Sequence, residues 1–239
     1  MSNETSSVLG TTRAIGLEVR KSVIEMLSRE DSLALISGFG PEQNGVAGSL
    51  SGLPPVASRS LFEEMRAIQD WKEEAWQLHS NQTVQRVSPQ EFGRLSSEEQ
   101  FSMSDCLREV PADALALRGL ISGLKSEEVA SSLSSAFGEA VRFKSADVAR
   151  YRQGHYLRRH ADNYEDRRFG LVFFLAPGWR YGYGGELMVE GPGGDAYVIQ
   201  PHAGAVAALR IKQGYNHQVA RMQSVTWTRF SIATHFVAA

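Results

Sequence analysis

Cysteine is nearly missing from this 239-residue chain: Cys106 is alone, so no intramolecular disulfide can form, and the usage fits a reducing compartment. An excess of either charge is missing too. The 25 Lys and Arg are set against 27 Asp and Glu, a net charge of −2 that gives no global electrostatic reason to expect nucleic acid as a partner. The chain has no run of about 18 apolar residues, which argues against a membrane span. Its opening "MSNETSSVLG" lacks the basic and apolar regions of a signal peptide, so a cytoplasmic location is expected. No repeat of fixed period is visible. What is present is ordinary for a globular protein, 42% hydrophobic and 22% charged, and one domain over residues 1–239 is the simplest reading.

Periodicity divides the chain. Residues 1–140 read mainly as helical support. In "TTRAIGLEVRKSVIEMLSRE", Ile15, Val19, Val23, Ile24 and Leu27 recur at helical spacing, and "SRSLFEEMRAIQDWKEEAWQL" repeats the pattern with Leu61, Met65, Ile68, Trp71 and Trp76. On this reading Trp71 and Trp76 belong to a core-facing stripe. Ser126 caps a helix that ends at Gly138. Between the first two helices, residues 37–57 are rich in Gly, Ser and Pro and are expected to form a long mobile loop. Across residues 146–239 the pattern changes to eight short strands punctuated by Gly or Pro, from "DVARYRQ" to "TWTRFSIATHF". That count suggests a sandwich or double-sheet jelly roll, with the helices packed on one outer face: an α+β fold.

Strand side chains alternate, so His160 and Asp162 in "YRQGHYLRRHAD" share a face and can grip one ion. His217, in "YNHQVARM", lies on a later strand of the same roll. Two histidines and a carboxylate suit the facial triad of a non-haem Fe(II) oxygenase, and equally a hydrolytic Zn(II) site. Arg229 separates the two. An oxygenase that uses 2-oxoglutarate must anchor the distal carboxylate of that acid, which a guanidinium does with bidentate geometry. Arg229 and Ser231 share a strand face twelve and fourteen residues after His217.

The stretch from Tyr151 to Phe236 resembles the double-stranded β-helix (jelly roll) of the Fe(II)/2-oxoglutarate-dependent dioxygenases, in particular their prolyl hydroxylase-like branch. The matching pieces run in order: Tyr151 with Gly154, His160 and Asp162, "RR" before "FGLVFFL", Trp179, "GGEL" at 184–187, "HQV" at 217–219, and "RFSI". The resemblance implies Fe(II) on His160, Asp162 and His217, with 2-oxoglutarate held by Arg229 and Tyr151. It implies O2 as second cosubstrate, ascorbate as a stimulant, and hydroxylation of an unactivated C–H of an amino acid or aminoacyl (prolyl) substrate with release of succinate and CO2. A carboxylate at Asp162, where halogenating relatives have Gly or Ala, implies oxidation without halogen transfer. The chain departs from the family at Phe174, where many prolyl hydroxylases carry a Tyr that helps hold the distal carboxylate, and at His235, often Trp.

Two further residues are candidates for the substrate side, Arg158, which shares a face with His160, and His235, which shares one with Arg229. Arg150 and Arg152 flank Tyr151 and are expected to face away from the cosubstrate, with Arg159 pointing outward. His155 and His202 read as structural. The competing functions are a non-catalytic metal-binding jelly roll used for interaction or sensing, and a nucleic-acid alkylation-repair dioxygenase. The latter carries a second Arg six residues beyond the first, a position that is His235 here.

Overall fold

Alternation along one strand explains how the two halves of the chain meet. A computed structural model describes residues 2–164 and 166–239. In chain order these form α1 (Ser2–Leu27), α2 (Glu30–Ser37), β1 (Ala47–Leu50), α3 (Pro55–Ala67), β2 (Lys72–Leu78), β3 (Val84–Val87), α4 (Pro89–Phe92), β4 (Gln100–Leu107), α5 (Leu115–Leu124) and α6 (Glu127–Phe137). There follow β5 (Val141–Tyr151), β6 (Tyr156–His160), β7 (Arg167–Phe174), β8 (Leu187–Glu190), β9 (Ala196–Ile199), β10 (Val206–Arg210), β11 (Asn216–Val219) and β12 (Arg229–Ala238). In β7, Phe169, Leu171 and Phe173 point to the helices and join Val19, Val23, Leu27, Leu117, Leu120 and Leu133 in one core. Val172 and Phe174, between them, point into the roll and pack with Leu187, Val189, Leu209 and Tyr215. The sheet is thus buried on both sides, and "FGLVFFL" is apolar without a break.

The strands run β1-β10-β7-β12-β5-β4-β6-β11-β8-β9, every pair antiparallel, with β2 pairing both β3 and β4. The outermost strands β1 and β9 touch, so the sheet curls into a nearly closed jelly roll. α1 and α5 approach closely, because a Cβ on Gly119 would lie 2.1 Å from the Gly16 carbonyl oxygen. Ser126 accepts from the Val129 amide at the start of α6, and Gly138 ends it in the left-handed region at φ 82°. No helix among the described residues is long and apolar enough to cross a membrane.

The eight expected strands are all present, but the first 140 residues contain more sheet than their periodicity indicates. The helix expected through Trp76 stops at Ala67, and Lys72–Leu78 is strand β2. Residues 37–57, expected as a loop, contain β1, which is paired along its length with β10, while Phe39 and Val46 are buried. Both differences have one cause: pairing with strands distant in sequence outweighs local composition.

Strand β4 brings Asp105 beneath the arginine-rich stretch that opens "YRQGHYLRRHAD". Arg150 Nε lies 2.6 Å from Asp105 Oδ2, while Arg152 reaches both Asp105 oxygens at 2.7 and 2.8 Å and also Glu73 at 2.7 Å. The Asp105 side chain is only 2% exposed. Burial pushes its pKa up, but the hydrogen bonds and charges of Arg152 and Arg150 prevail and hold it below the ordinary 3.8. Asp105→Asn should therefore cost about 3 kcal/mol in urea unfolding, the low end for breaking a buried pair because Arg152 keeps much of its solvent access. The sign follows from the depressed pKa: the carboxylate's contribution is complete above 3.8 and is lost as pH falls through the folded-state value. A loss below about 1 kcal/mol would mean that water serves the two arginines equally well.

Candidate active site

β6 and β11 are neighbours, and their register sets His160 directly opposite His217. Their rings lie 4.2 Å apart between centroids. Asp162, two residues past His160, presents Oδ1 at 3.3 Å from His160 Nε2 and Oδ2 at 3.7 Å from His217 Nε2. One ligand atom from each residue lies within 4.8 Å of the others, close enough to hold a metal ion. The donor chemistry fits a cation. His160 Nδ1 donates to the Arg158 carbonyl at 2.8 Å, so in the neutral ring Nε2 is a lone pair facing a carboxylate oxygen. Two acceptors face each other there without a proton between them. Burial pushes His217 down to about 3, with the neighbouring His160 acting in the same direction, which keeps its imidazole neutral as a ligand must be. Burial would raise Asp162, but the close approach of His160, the hydrogen bond from His235 and the nearby His217 hold it far below the carboxylate range.

The same cavity, about 530 Å³, is lined on the β12 side by Arg229, Ser231, Ala233 and His235, with Tyr151 from β5 beside them. Arg229 is 2% exposed, and its guanidinium carbon lies 4.8 Å from the Tyr151 ring centroid and 5.1 Å from that of Phe174. It makes no ion pair with any described carboxylate, and its Nε has no acceptor. Burial lowers its pKa, only partly offset by Tyr151. A buried guanidinium without an anion is costly, and a ligand carboxylate would relieve it. The glycines of "GGEL" make room for it. Gly185 has φ 81°, and a Cβ there would lie 3.2 Å from Arg229 Cδ and 2.7 Å from Met222 Sδ. Trp179 fixes the turn by donating from Nε1 to the Gly184 carbonyl at 3.0 Å.

Residues 146–237 match the family model described as the 2OG-Fe(II) oxygenase superfamily. These residues are a 2OG-Fe(II) oxygenase domain. The matched residues are accordingly a 2-oxoglutarate-dependent dioxygenase domain, of a family that implies Fe(II), 2-oxoglutarate and O2 as cofactor and cosubstrates. The fold of the whole chain agrees. It is similar to a Pseudomonas putida prolyl-4-hydroxylase at TM-score 0.61 and 18% identity, covering 87% of this chain and 99% of that one. A prolyl hydroxylase from Trichoplax adhaerens, solved with a peptide fragment of a hypoxia inducible factor oxygen degradation domain, matches at TM-score 0.58 and 14% identity over 96% and 92% of the two chains. An oxidoreductase of the 2OG-Fe(II) oxygenase family from Burkholderia pseudomallei matches at TM-score 0.53 and 15% identity over 87% and 92%. A search of curated proteins returns no match.

Around the oxygenase site the remaining candidates divide. Arg158 does not line the cavity, because its guanidinium donates to the backbone carbonyls of Glu98 at 2.5 Å and Ser97 at 3.4 Å. The shared face is outweighed by the nearby loop before β4, whose carbonyls capture the side chain. Arg159 points outward to Glu190 at 2.6 Å. Arg150 and Arg152 are turned to Asp105, away from Tyr151. His155 is buried on that same side, 3.6 Å from Glu73, and His202 rests edge-on against Trp179. His235 does line the cavity, but its Nε2 is 3.3 Å from Asp162 Oδ2.

Several residues around the oxygenase site lie outside any motif. Trp76, expected in a helical core stripe, stands on β2 and lines the cavity with Phe101 of β4, whose ring meets His160 edge-on at 5.5 Å. Tyr164 lines it too, with its phenol pushed up to about 12 by burial and by the charge of Asp162. Arg167 ion-pairs with Asp162 at 3.1 Å. Of these, Arg167 alone falls within a matched piece of the sequence, the "RR" that opens β7.

Proposed function

We propose that His160, Asp162 and His217 hold Fe(II), that Arg229 with Tyr151 and Ser231 holds 2-oxoglutarate, and that the enzyme hydroxylates a C–H bond of a prolyl residue in a peptide or protein. The observation that carries this reading is Arg229, a buried cation with no anionic partner among the described residues, facing the same cavity as the His-Asp-His cluster. Iron and 2-oxoglutarate supply the oxidising power when bound, with succinate and CO2 released. The protein's own residues bind and orient. Arg229 pairs with the distal carboxylate, and Ser231, buried on the same strand face, supplies the hydroxyl that Phe174 lacks. The apolar wall of Val172, Leu187, Leu209 and Val219 keeps water from the reacting carbon.

The substrate class rests on two supports. Two of the structural neighbours are prolyl hydroxylases, one of them solved with a peptide. In this chain Trp76, Phe101 and Tyr164 line the cavity, Phe101 against His160, and supply aromatic surface suited to the C–H face of a pyrrolidine ring. The test follows succinate release with Fe(II), 2-oxoglutarate and O2 against proline-containing peptides, free proline and other amino acids, with mass spectrometry of the products. Prolyl peptides should gain a single oxygen atom and outpace free amino acids by at least tenfold. Oxygen added only to free amino acids, or to residues other than proline, would exclude the prolyl assignment.

A further inference from the structure

The two oxygens of Asp162 have unequal surroundings. For Oδ1 the recorded approach among the described residues is His160 Nε2 at 3.3 Å. Oδ2 is crowded, with His235 Nε2 at 3.3 Å, Arg167 Nη1 at 3.1 Å and His217 Nε2 at 3.7 Å. We propose that His235 and Arg167 are positioning residues that occupy Oδ2 of Asp162, so that the carboxylate offers only Oδ1 to the metal. This rests on the His160-Asp162-His217 assignment above and concerns residues that do not themselves bind the ion.

Both partners are fixed for that task. A carboxylate only accepts, so the His235 contact requires a proton on Nε2. Nδ1 is then the acceptor, with Ser145 Oγ at 3.2 Å placed to donate to it. Asp147 Oδ2 also faces this nitrogen, at 3.8 Å from an exposed side chain. His235 is 5% exposed and lies opposite Gly170, which has no side chain to crowd it. The register of β12 against β5 shifts immediately after His235, an irregularity of the kind that re-aims a side chain beside a site. Arg167 is held from the other direction. The turn from Asp162 closes through the Tyr164 amide on the Asp162 carbonyl at 2.9 Å and the Arg167 amide on the Tyr164 carbonyl at 3.2 Å. Asp166 takes φ 56° in that turn, and the Arg167 guanidinium carbon stacks 4.1 Å over the Tyr164 ring.

The consequence is a count of coordination positions. A six-coordinate ion on three protein atoms keeps about three positions, enough for a chelating 2-oxo acid and one more ligand. A carboxylate that turned both oxygens to the ion would leave about two. His235 and Arg167 keep the third one open.

The experiment uses Mn(II) as probe in the full chain without cosubstrate. Water-proton relaxation counts the exchangeable waters on the bound ion, and 2-oxoglutarate is then titrated against the anaerobic Fe(II) form by its charge-transfer absorption. In the double variant His235→Phe/Arg167→Met, relaxivity per bound Mn(II) should fall by about a third, from about three waters to two. Its affinity for 2-oxoglutarate should fall by about tenfold, although Arg229 is intact. His235→Gln, which keeps an N–H donor, should stay within about twofold of wild type in both readouts, and it preserves the test if the double variant fails to fold. Wild-type relaxivity and affinity in the double variant would overturn the proposal, as would a rise in water count in His235→Phe, which would make His235 a ligand. A wild-type protein that binds no Mn(II), or a His217→Ala variant that binds it normally, would overturn the triad itself together with this inference.

Discussion

Alanine at His160, Asp162 or His217 should lower Fe(II) affinity by at least a hundredfold and reduce succinate release to background. Each replacement removes one of three protein donors, and the two that remain cannot fix an ion against water. The three positions should also differ. Asp162 is the only carboxylate in the cluster, so its loss removes the negative charge that balances the ion. Asp162→Ala leaves Arg167 and His235 facing each other across the vacated site, and a cation beside Arg167 is then opposed by charge. Asp162→Ala should therefore bind Fe(II) more weakly than His160→Ala, whose Nδ1 bond to Arg158 contributes locally and carries no charge. Isothermal titration with Fe(II) under argon reads this order directly. A triple variant that titrates like wild type would place the metal elsewhere.

Arg229→Met should act in opposite directions on binding and on stability. In the ligand-free protein the guanidinium is buried, has no carboxylate partner among the described residues and is held below its ordinary pKa by that burial. Replacing a desolvated charge by an apolar side chain of similar length is commonly stabilising by about 1–4 kcal/mol. At the lower end of that range, a chain of this size should melt about 2–4 °C higher without ligand. The same change removes a charge-assisted contact worth about 1.5–3 kcal/mol, so 2-oxoglutarate affinity should fall at least about tenfold with Fe(II) affinity little changed. Ser231→Ala should weaken the cosubstrate less, as loss of one neutral donor does. Differential scanning fluorimetry and the anaerobic charge-transfer titration give the two readouts. A lower melting temperature in the ligand-free variant would mean that Arg229 is a structural residue with partners of its own, and the cosubstrate carboxylate would have to be sought elsewhere.

The second half of the chain was legible because its physics is local. Strands β5 to β12 are short runs punctuated by Gly or Pro, and they carry the histidines and Asp162 at spacings that the alternation of strand side chains converts into a shared face. Arg229 and Ser231 could be read in the same way. The first half was less legible where strand pairing outweighs local pattern. "WKEEAWQL" has charged and aromatic residues at a spacing that also fits a helix, yet β3 and β4 bind it on both edges and turn Glu74 and Trp76 to the cavity. Asp105 gave no signal in sequence, since its importance lies in two arginines 45 and 47 residues away. Arg158 shows the limit of face-sharing: its face is right, but the carbonyls of Ser97 and Glu98 are closer than the site. Arg167 depends on a turn whose geometry, with Asp166 at positive φ, is set by folding.

Sheet order also bears on how this oxygenase could have been assembled and how far it can be cut down. The matched segment begins at Ala146, yet β5 starts at Val141 and lies between β12 and β4. Removing everything before residue 146 would strip β4 from between β5 and β6 and β1 from the flank of β10, and would uncover Phe169, Phe173 and Phe236. Three bare strand flanks and a greasy wall favour self-association over monomeric refolding. The portable unit for recombination or directed evolution is therefore the strand-and-helix assembly that encloses the roll, and crossover points chosen at the edges of the recognisable motif would cut through its walls.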